Sequence, residues 1–162
     1  MTHFNQEYVR SVVFGIEDSL VSTTGLIVGL VVGSNKEVVI LAASVAIAIE
    51  ALSMGAGEYL SDDAVHEIEK IKRSADNPII SGLLMMVSYF IAGMVPLIPI
   101  ILFDYSIAIY ITVVASLVGL FVLGFAKGKL AKVNPIKSSL KILIIGGLTA
   151  VIGIAVGLLL KV

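Results

Sequence analysis

Five apolar runs, each long enough to cross a lipid bilayer, dominate this sequence of 162 residues. They cover residues 11–32, 38–60, 79–103, 107–126 and 142–160. A helix needs about 20 consecutive apolar residues to span the hydrocarbon core of a membrane. The runs therefore predict an all-α integral membrane protein with five transmembrane helices, which form a single membrane domain over residues 1–162.

The composition supports a membrane location and excludes several classes of function. Hydrophobic residues make up 58% of the chain and charged residues 14%, against about 45–50% and 25% in soluble domains. The formal net charge of −1 provides no basic excess for a nucleic-acid partner. The sequence has no cysteine for a thiolate ligand or nucleophile, and no phosphate-binding glycine loop. We therefore expect a protein that is embedded in lipid and is not an enzyme.

The positive side chains are distributed unevenly between the two ends of the predicted helices. Nine of the 11 Lys and Arg residues would lie on one side of the membrane, and only Lys36 and Lys161 on the other. Positive charges collect on the cytoplasmic side of membrane proteins. We therefore expect a cytoplasmic N-terminus, cytoplasmic loops after the second and fourth spans, and a C-terminus outside.

Four carboxylates lie within the first two spans, where a charge is costly: Glu17, Asp18, Glu50 and Glu58. A charge near the bilayer centre costs at least about 2.5–3.5 kcal/mol, so such residues usually face the bundle interior or a water-filled path. Glu58 lies within one turn of the end of its span, and its side chain could instead extend to the interface. Asp18 and Glu50 are too deep for that explanation.

A row of residues on the second span suggests which chemistry these acids serve. Glu50, Met54 and Glu58 are four residues apart and share one helix face, which Asp62 continues. Asp18 would reach the depth of Met54, because the first two spans are antiparallel neighbours. Carboxylate oxygens beside a thioether suit Fe²⁺, Mn²⁺, Co²⁺ or Zn²⁺, although Met is also a common core filler. We therefore predict a metal transport path through Asp18, Met54, Glu50 and Glu58.

The charged segment 61–78 separates the second and third spans, and its first part has the pattern of an amphipathic continuation of the second helix. Potential ligands lie three and four residues apart there: Asp62, Asp63, His66 and Glu67. This spacing fits a site that collects cations at the cytoplasmic mouth. It also fits the solvated face of an ordinary helix.

Small residues recur along the first span at intervals of three and four: Ser11, Gly15, Asp18, Ser22, Gly25 and Gly29. Such a seam allows close helix approach in lipid, so Asp18 should face another helix. Gly153 and Gly157 offer a similar step in the fifth span. The pattern leaves two partners open, the fifth span or a symmetric copy of the first, which would bring two Asp18 side chains together across a twofold axis.

Two motifs resemble a known family. Residues 15–25, GIEDSLVSTTG, resemble the first-helix motif of the vacuolar iron transporter family, in which Asp is followed by Gly-Leu-Val. Residues 51–61, ALSMGAGEYLS, are similar to its second-helix motif. The motifs occur in the family's order and at about its separation, and the five predicted spans agree with the membrane part of the family.

This resemblance implies export of Fe²⁺ or Mn²⁺ from the cytosol in exchange for protons, by a homodimer with the path near its twofold axis. The transport aspartate and methionine of the family match Asp18 and Met54, and its motif glutamate matches Glu58. The implied partners are the lipid bilayer, a second copy, protons and the transported ions, with no permanent cofactor. We expect a prokaryotic cell membrane as the location.

The sequence departs from the family pattern in three places. Ser19 follows the aspartate where the family has glycine, and Glu50 adds a carboxylate where a small residue is expected. Plant and protist members carry a long glutamate-rich metal-binding insert between the second and third spans, whereas only residues 61–78 stand there in this chain. The chain therefore resembles a short form that lacks this insert.

Two other functions fit the same acids. A passive divalent-cation channel would use them without proton exchange. A membrane assembly or metal sensor without transport would use them only to set the helix register. Metal flux with proton counterflow, flux alone, and metal binding without flux distinguish the three hypotheses.

Overall fold

A computed structural model of the protein describes residues 6–69 and 77–159, which form five α-helices. They are α1 (Gln6–Val31), α2 (Lys36–Glu69), α3 (Pro78–Leu102), α4 (Tyr105–Leu130) and α5 (Pro135–Leu159). All five are long and apolar enough to cross a membrane, which confirms the predicted all-α membrane fold. Residues 70–76 of the charged segment, residue 160 and Lys161 lie outside the described residues.

The helices begin before the apolar runs do, and an asparagine side chain caps three of them, α2, α3 and α5. α5 starts at Pro135 rather than at residue 142, and the side-chain oxygen of Asn134 accepts hydrogen bonds from the backbone of Ile136 and Lys137, at 3.0 and 3.1 Å. Asn77 caps α3 in the same way. An Asn cap followed by Pro is a strong helix start. The apolar runs therefore mark the membrane-crossing part of each helix and not its full length.

α1 contacts all four other helices, and it packs more extensively on α3 than on α2. The main partner of α2 is α3. α1, α3 and α5 run in one direction, so all three begin at the end of the bundle where α2 and α4 finish. We call this end the Arg10 end, after the arginine of α1 that lies there. The polar residues described below lie along the less tightly packed boundary between α1 and α2.

The glycines in the second half of α1 pack against α5 of the same chain. A Cβ on Gly29 would lie 2.8 Å from the carbonyl oxygen of Gly153, and one on Gly157 would clash with the carbonyl of Gly29. Gly25 lies opposite Thr149, where a Cβ would be 3.6 Å from its methyl group. Of the two partners that the sequence left open, α5 therefore covers these glycines, which allow the two backbones to touch.

The first half of α1 packs closely on α3. A Cβ on Gly15 would lie 2.9 Å from the carbonyl oxygen of Met85. α2 approaches α3 equally closely, since a Cβ on Gly55 would lie 2.8 Å from the carbonyl oxygen of Gly82. These contacts fix α1 and α2 on either side of α3, with their polar residues towards one another.

α2 is the longest helix, with 34 residues. At about 1.5 Å per residue, such a helix exceeds the roughly 30 Å hydrocarbon core of a bilayer. Its last two turns therefore continue beyond the membrane-crossing part. The helical continuation predicted for the start of segment 61–78 is confirmed as far as Glu69, but its apolar residues Val65 and Ile68 are exposed in the described structure.

Candidate cation pathway between helices α1 and α2

A carboxylate near the middle of the bundle is held by hydroxyl groups from two other helices. Glu50 of α2 accepts a hydrogen bond from the hydroxyl of Tyr89 of α3 and a longer one, of 3.4 Å, from Ser22 of α1. The hydroxyl oxygens of Ser22 and Tyr89 are 2.7 Å apart. Ser19 donates to the Tyr89 carbonyl at 2.6 Å, which ties α1 to α3 at the same level. Three helices therefore meet at one polar cluster.

Asp18 lies one helical turn from Ser22 on α1 and is half-buried. Glu17 precedes it on α1, and Ser22 contacts Glu50, so three carboxylates lie within about one helical turn of this level of the bundle. Within the described parts of the chain, no Lys or Arg forms an ion pair with Asp18 or Glu50. Repulsion between acids is strong where the dielectric constant is low. A cation or proton that reached this pair of acids would supply the missing positive charge.

The predicted row on α2 faces α1 along its length. Glu50 contacts Ser22 of α1. Two to three turns further along α2, Glu58 and Asp62 both contact Arg10 of α1. Met54 lies between these contacts on the same helix face and is half-buried. Its thioether is therefore placed along the boundary, between the acids on either side of it.

At the Arg10 end, the acids are paired with a fixed positive charge. The Arg10 guanidinium lies 3.0 Å from Glu58 and 3.3 Å from Asp62, and it also contacts Glu7 at 3.2 Å. Ser11, which is fully buried, donates a 2.6 Å hydrogen bond to the same oxygen of Glu58. Glu58 therefore does not extend freely to the interface, as one reading of the sequence allowed. It is held between α1 and α2.

We call the residues along this boundary the polar column: Asp62, Glu58, Arg10, Ser11, Met54, Asp18, Glu50, Ser22 and Tyr89. The column runs from the Arg10 end to the middle of the bundle. From Asp62 to Glu50 it extends roughly 18 Å along α2. Its oxygen atoms succeed one another between two helices, so a cation leaving one carboxylate would find another further along.

The other potential ligands after the second span are not gathered into a metal site within the described part of the chain. Asp63 and His66 are half-buried, and Glu67 is exposed. Within residues 6–69 and 77–159, no group of three or more His, Asp or Glu side chains is close enough to hold a metal ion. The cation-collecting site at the mouth therefore stays a prediction, and only Asp62 of its four residues joins the polar column.

The sequence interpretation did not single out Tyr89 or Arg10 as site residues. Tyr89 lies in a span without charged residues, where aromatic side chains usually fill the core. The available signal was its depth, because tyrosine in membrane helices is most common at the interfaces, whereas Tyr89 lies near the middle of α3 and is 1% exposed. Arg10 contributed to the charge asymmetry, but nothing in the sequence indicated which acids it contacts.

The fold and the polar column define an integral membrane protein with acids arranged inside its helix bundle. The chain belongs to the VIT family, whose model matches residues 9–75 and 64–158. The two matched segments overlap at residues 64–75. These residues lie between the second and third spans, where other members of the family carry the insert. Membership therefore rests on both halves of the bundle, and the membrane-protein and family predictions are confirmed.

Curated relatives agree with this assignment. The chain is 28% identical over 159 residues to Vacuolar iron transporter homolog 3 of Arabidopsis thaliana, covering 90% of this chain and 80% of the relative. It is 27% identical over 151 residues to an uncharacterized protein of Methanocaldococcus jannaschii, covering 82% and 79%. Vacuolar iron transporter 1 of Tulipa gesneriana is 25% identical over 211 residues, covering 91% and 85%. That alignment is longer than this chain, so the tulip protein carries additional residues.

Proposed function

We propose that this protein transports divalent iron across a membrane and that the polar column is the path of the ion. The observation that carries the proposal is the position of Glu50, deep in the bundle and held by Ser22 and Tyr89 instead of by a basic residue. Membership of the VIT family and relatives named as iron transporters support the choice of cargo. The activity is therefore transport and not catalysis.

The charge balance of the column explains why a cation would enter it. Asp18 lies one turn from Ser22, which contacts Glu50, and hydroxyl groups supply hydrogen bonds to Glu50 but no compensating charge. A desolvated dication gains the attraction of both carboxylates. Met54 adds a soft donor, which favours borderline ions such as Fe²⁺ over Mg²⁺ or Ca²⁺.

The proposal extends to Mn²⁺ as a second cargo and to proton exchange. Acids that bind a dication in one direction can carry protons in the other, which makes export from the cytosol independent of ATP. The excess of Lys and Arg at the Arg10 end supports a cytoplasmic position for that end. The proposed location is a prokaryotic cell membrane.

Flux into sealed vesicles tests this proposal directly. The purified protein is reconstituted into liposomes with a metal-sensitive dye and, in a parallel preparation, a pH-sensitive dye inside. We expect Fe²⁺ uptake together with proton efflux. Uptake without proton movement would instead show a passive channel, and metal binding without uptake would show a sensor or assembly.

A matched pair of variants separates the path from a general effect of charge. Asp18→Asn should reduce flux by more than about tenfold, since losing a charge–dication attraction at low dielectric exceeds about 1.4 kcal/mol. Asp104→Asn is the control, because Asp104 lies between α3 and α4 and its side chain forms no capping hydrogen bond. Normal flux in Asp18→Asn would overturn the assignment of Asp18.

The homodimer also belongs to this proposal. Since Gly25 and Gly29 are covered by α5, the part of α1 available to a second copy lies nearer to Asp18, where Phe14 is 48% exposed. Phe14→Cys should cross-link in membranes if two copies of α1 face each other. Ile144→Cys, on the exposed side of α5, should not. The reverse pattern would move the interface to α5.

A further inference from the structure

Arg10 joins the first turns of α1 to the end of α2 through several carboxylates. Its guanidinium contacts Glu7 within its own helix, and Glu58 and Asp62 across the boundary. Glu58 and Asp62 belong to the row that leads to Glu50. The arginine therefore lies across the outer end of the polar column.

The partners differ in their freedom to move. The Arg10 side chain is 57% exposed, whereas those of Glu58 and Asp62 are 12% and 14% exposed. Ser11 further fixes Glu58 with a hydrogen bond, and one buried oxygen of Asp62 has no hydrogen-bond partner among the described residues. An ion pair with a largely exposed cation is screened by water and is more readily broken than a fully buried pair. The arginine is therefore the movable partner, and the carboxylates are the fixed ones.

The structure also provides space for the arginine to move into. A pocket of about 640 Å³ borders Arg10 and Glu58, and Glu17, Met85 and Lys127 line it as well. A long, flexible side chain can swing into such a space while its helix stays in place. Release of Glu58 and Asp62 therefore requires a change of rotamer and no rearrangement of the bundle.

We propose that Arg10 is an ionic gate, which clamps α1 to α2 and releases Glu58 and Asp62 when a cation passes. The clamp acts as a tethered competitor, because its guanidinium occupies the carboxylate oxygens that an arriving cation meets first. This inference rests on the proposed function, but the closed clamp is a structural state that can be measured without transport. Its removal should open the column from the Arg10 end.

Chemical accessibility tests the gate without any transported metal. The chain has no cysteine, so a Met54→Cys reporter gives the only thiol, located further along the column. A membrane-impermeant thiol reagent is added to either side of reconstituted vesicles. In an Arg10→Gln background, the modification rate from the Arg10 side should rise by up to about fivefold, the upper end of the range expected for loss of a weak ion pair.

Lys127→Gln is the matched control. It removes one positive charge from the same pocket, and within the described residues Lys127 forms no ion pair. In the Lys127→Gln background, the Met54→Cys thiol should react at the same rate as in the Met54→Cys protein without a further substitution. An unchanged rate in Arg10→Gln, or an equal increase in Lys127→Gln, would overturn the gate.

A second variant covers the case in which Arg10→Gln does not fold. Arg10→Lys keeps the charge but has one nitrogen, where Arg10 contacts Glu7 through Nε and both Glu58 and Asp62 through Nη2, so its reporter should react at an intermediate rate. An Arg10→Lys rate equal to that of the parent would count against the clamp.

Transport kinetics separate the failure of the gate from the failure of the proposed function. If the parent protein transports Fe²⁺, Arg10→Gln should lower KM several-fold, because the competing cation is gone. Greater accessibility in a protein that never transports metal would support the gate and reject the proposed function. Transport with neither KM nor accessibility changed by Arg10→Gln would reject the gate alone.

Discussion

The two halves of the polar column treat their carboxylates differently. At the Arg10 end, Glu58 and Asp62 share a guanidinium from the same chain. In the middle of the bundle, Glu50 has only the hydroxyls of Tyr89 and Ser22 as described hydrogen-bond partners. One region therefore contains its own counter-charge, and the other has hydrogen bonds without one.

This difference shows how buried acids can serve either structure or transport. A paired acid is electrostatically satisfied, so it holds helices together and yields to a cation only when the pair opens. A hydrogen-bonded acid near another acid keeps its attraction for whatever cation reaches it. Hydrogen bonds fix the position of the Glu50 carboxylate, but they do not neutralise its charge. A ligand that binds only transiently needs such an arrangement.

The largest effect on metal transport is expected from Glu50→Gln. The amide can still accept hydrogen bonds from Tyr89 and Ser22, so folding should be preserved. Flux should fall by more than about tenfold, because a carboxylate–dication attraction is lost at low dielectric. Metal binding at Asp18 and Met54, measured by calorimetry in detergent, should persist. Flux at the parent level would mean that the middle of the column serves packing alone.

Tyr89→Phe should reduce the stability of the protein and leave the charge of the polar column unchanged. It removes the hydroxyl that contacts both Glu50 and Ser22, and we expect a loss of about 1–3 kcal/mol in the free energy of unfolding. Tyr110→Phe is the control, since the Tyr110 side chain is 75% exposed. Equal unfolding midpoints for the two variants would show that the hydroxyl cluster does not stabilise the bundle.

Met54→Leu distinguishes a ligand from core filler. Leucine preserves volume and hydrophobicity, so stability should change by less than about 1.5 kcal/mol. If the thioether binds the cargo, transport of Fe²⁺ and Co²⁺ should fall, while Mn²⁺, which prefers oxygen ligands, should be affected least. Identical uptake of all three ions by the variant and its parent would assign Met54 to packing.

The smallest effect on stability is expected from Arg10→Gln, at the Arg10 end. The dependence of this effect on salt concentration should show its electrostatic origin. Arg10→Gln should cost about 0.2–1 kcal/mol, because the arginine is largely exposed. The cost should shrink as salt rises from about 0.01 M to 1 M, where the Debye length falls from about 30 to 3 Å. The cost of Tyr89→Phe should not depend on salt. Equal salt dependence in both variants would remove the distinction between the two regions.

The sequence alone determined the fold class and the residues that had to be explained. Apolar runs of membrane-spanning length leave little choice of architecture, because backbone groups in lipid must pair within a helix. The cost of burying charge likewise made Asp18 and Glu50 conspicuous without any structure. Even the row from Glu50 to Asp62 followed from helical periodicity, since spacing along one helix is a local property.

Only the tertiary structure decided which partners those residues have. Spacing in α2 could not show that Glu58 contacts Arg10, nor that Tyr89 of α3 holds Glu50, because these pairs are 48 and 39 residues apart. The glycine seam was equally ambiguous until α5 was found against Gly25 and Gly29. Small residues permit close approach without specifying the neighbour, so the choice is made by the packing of the whole bundle.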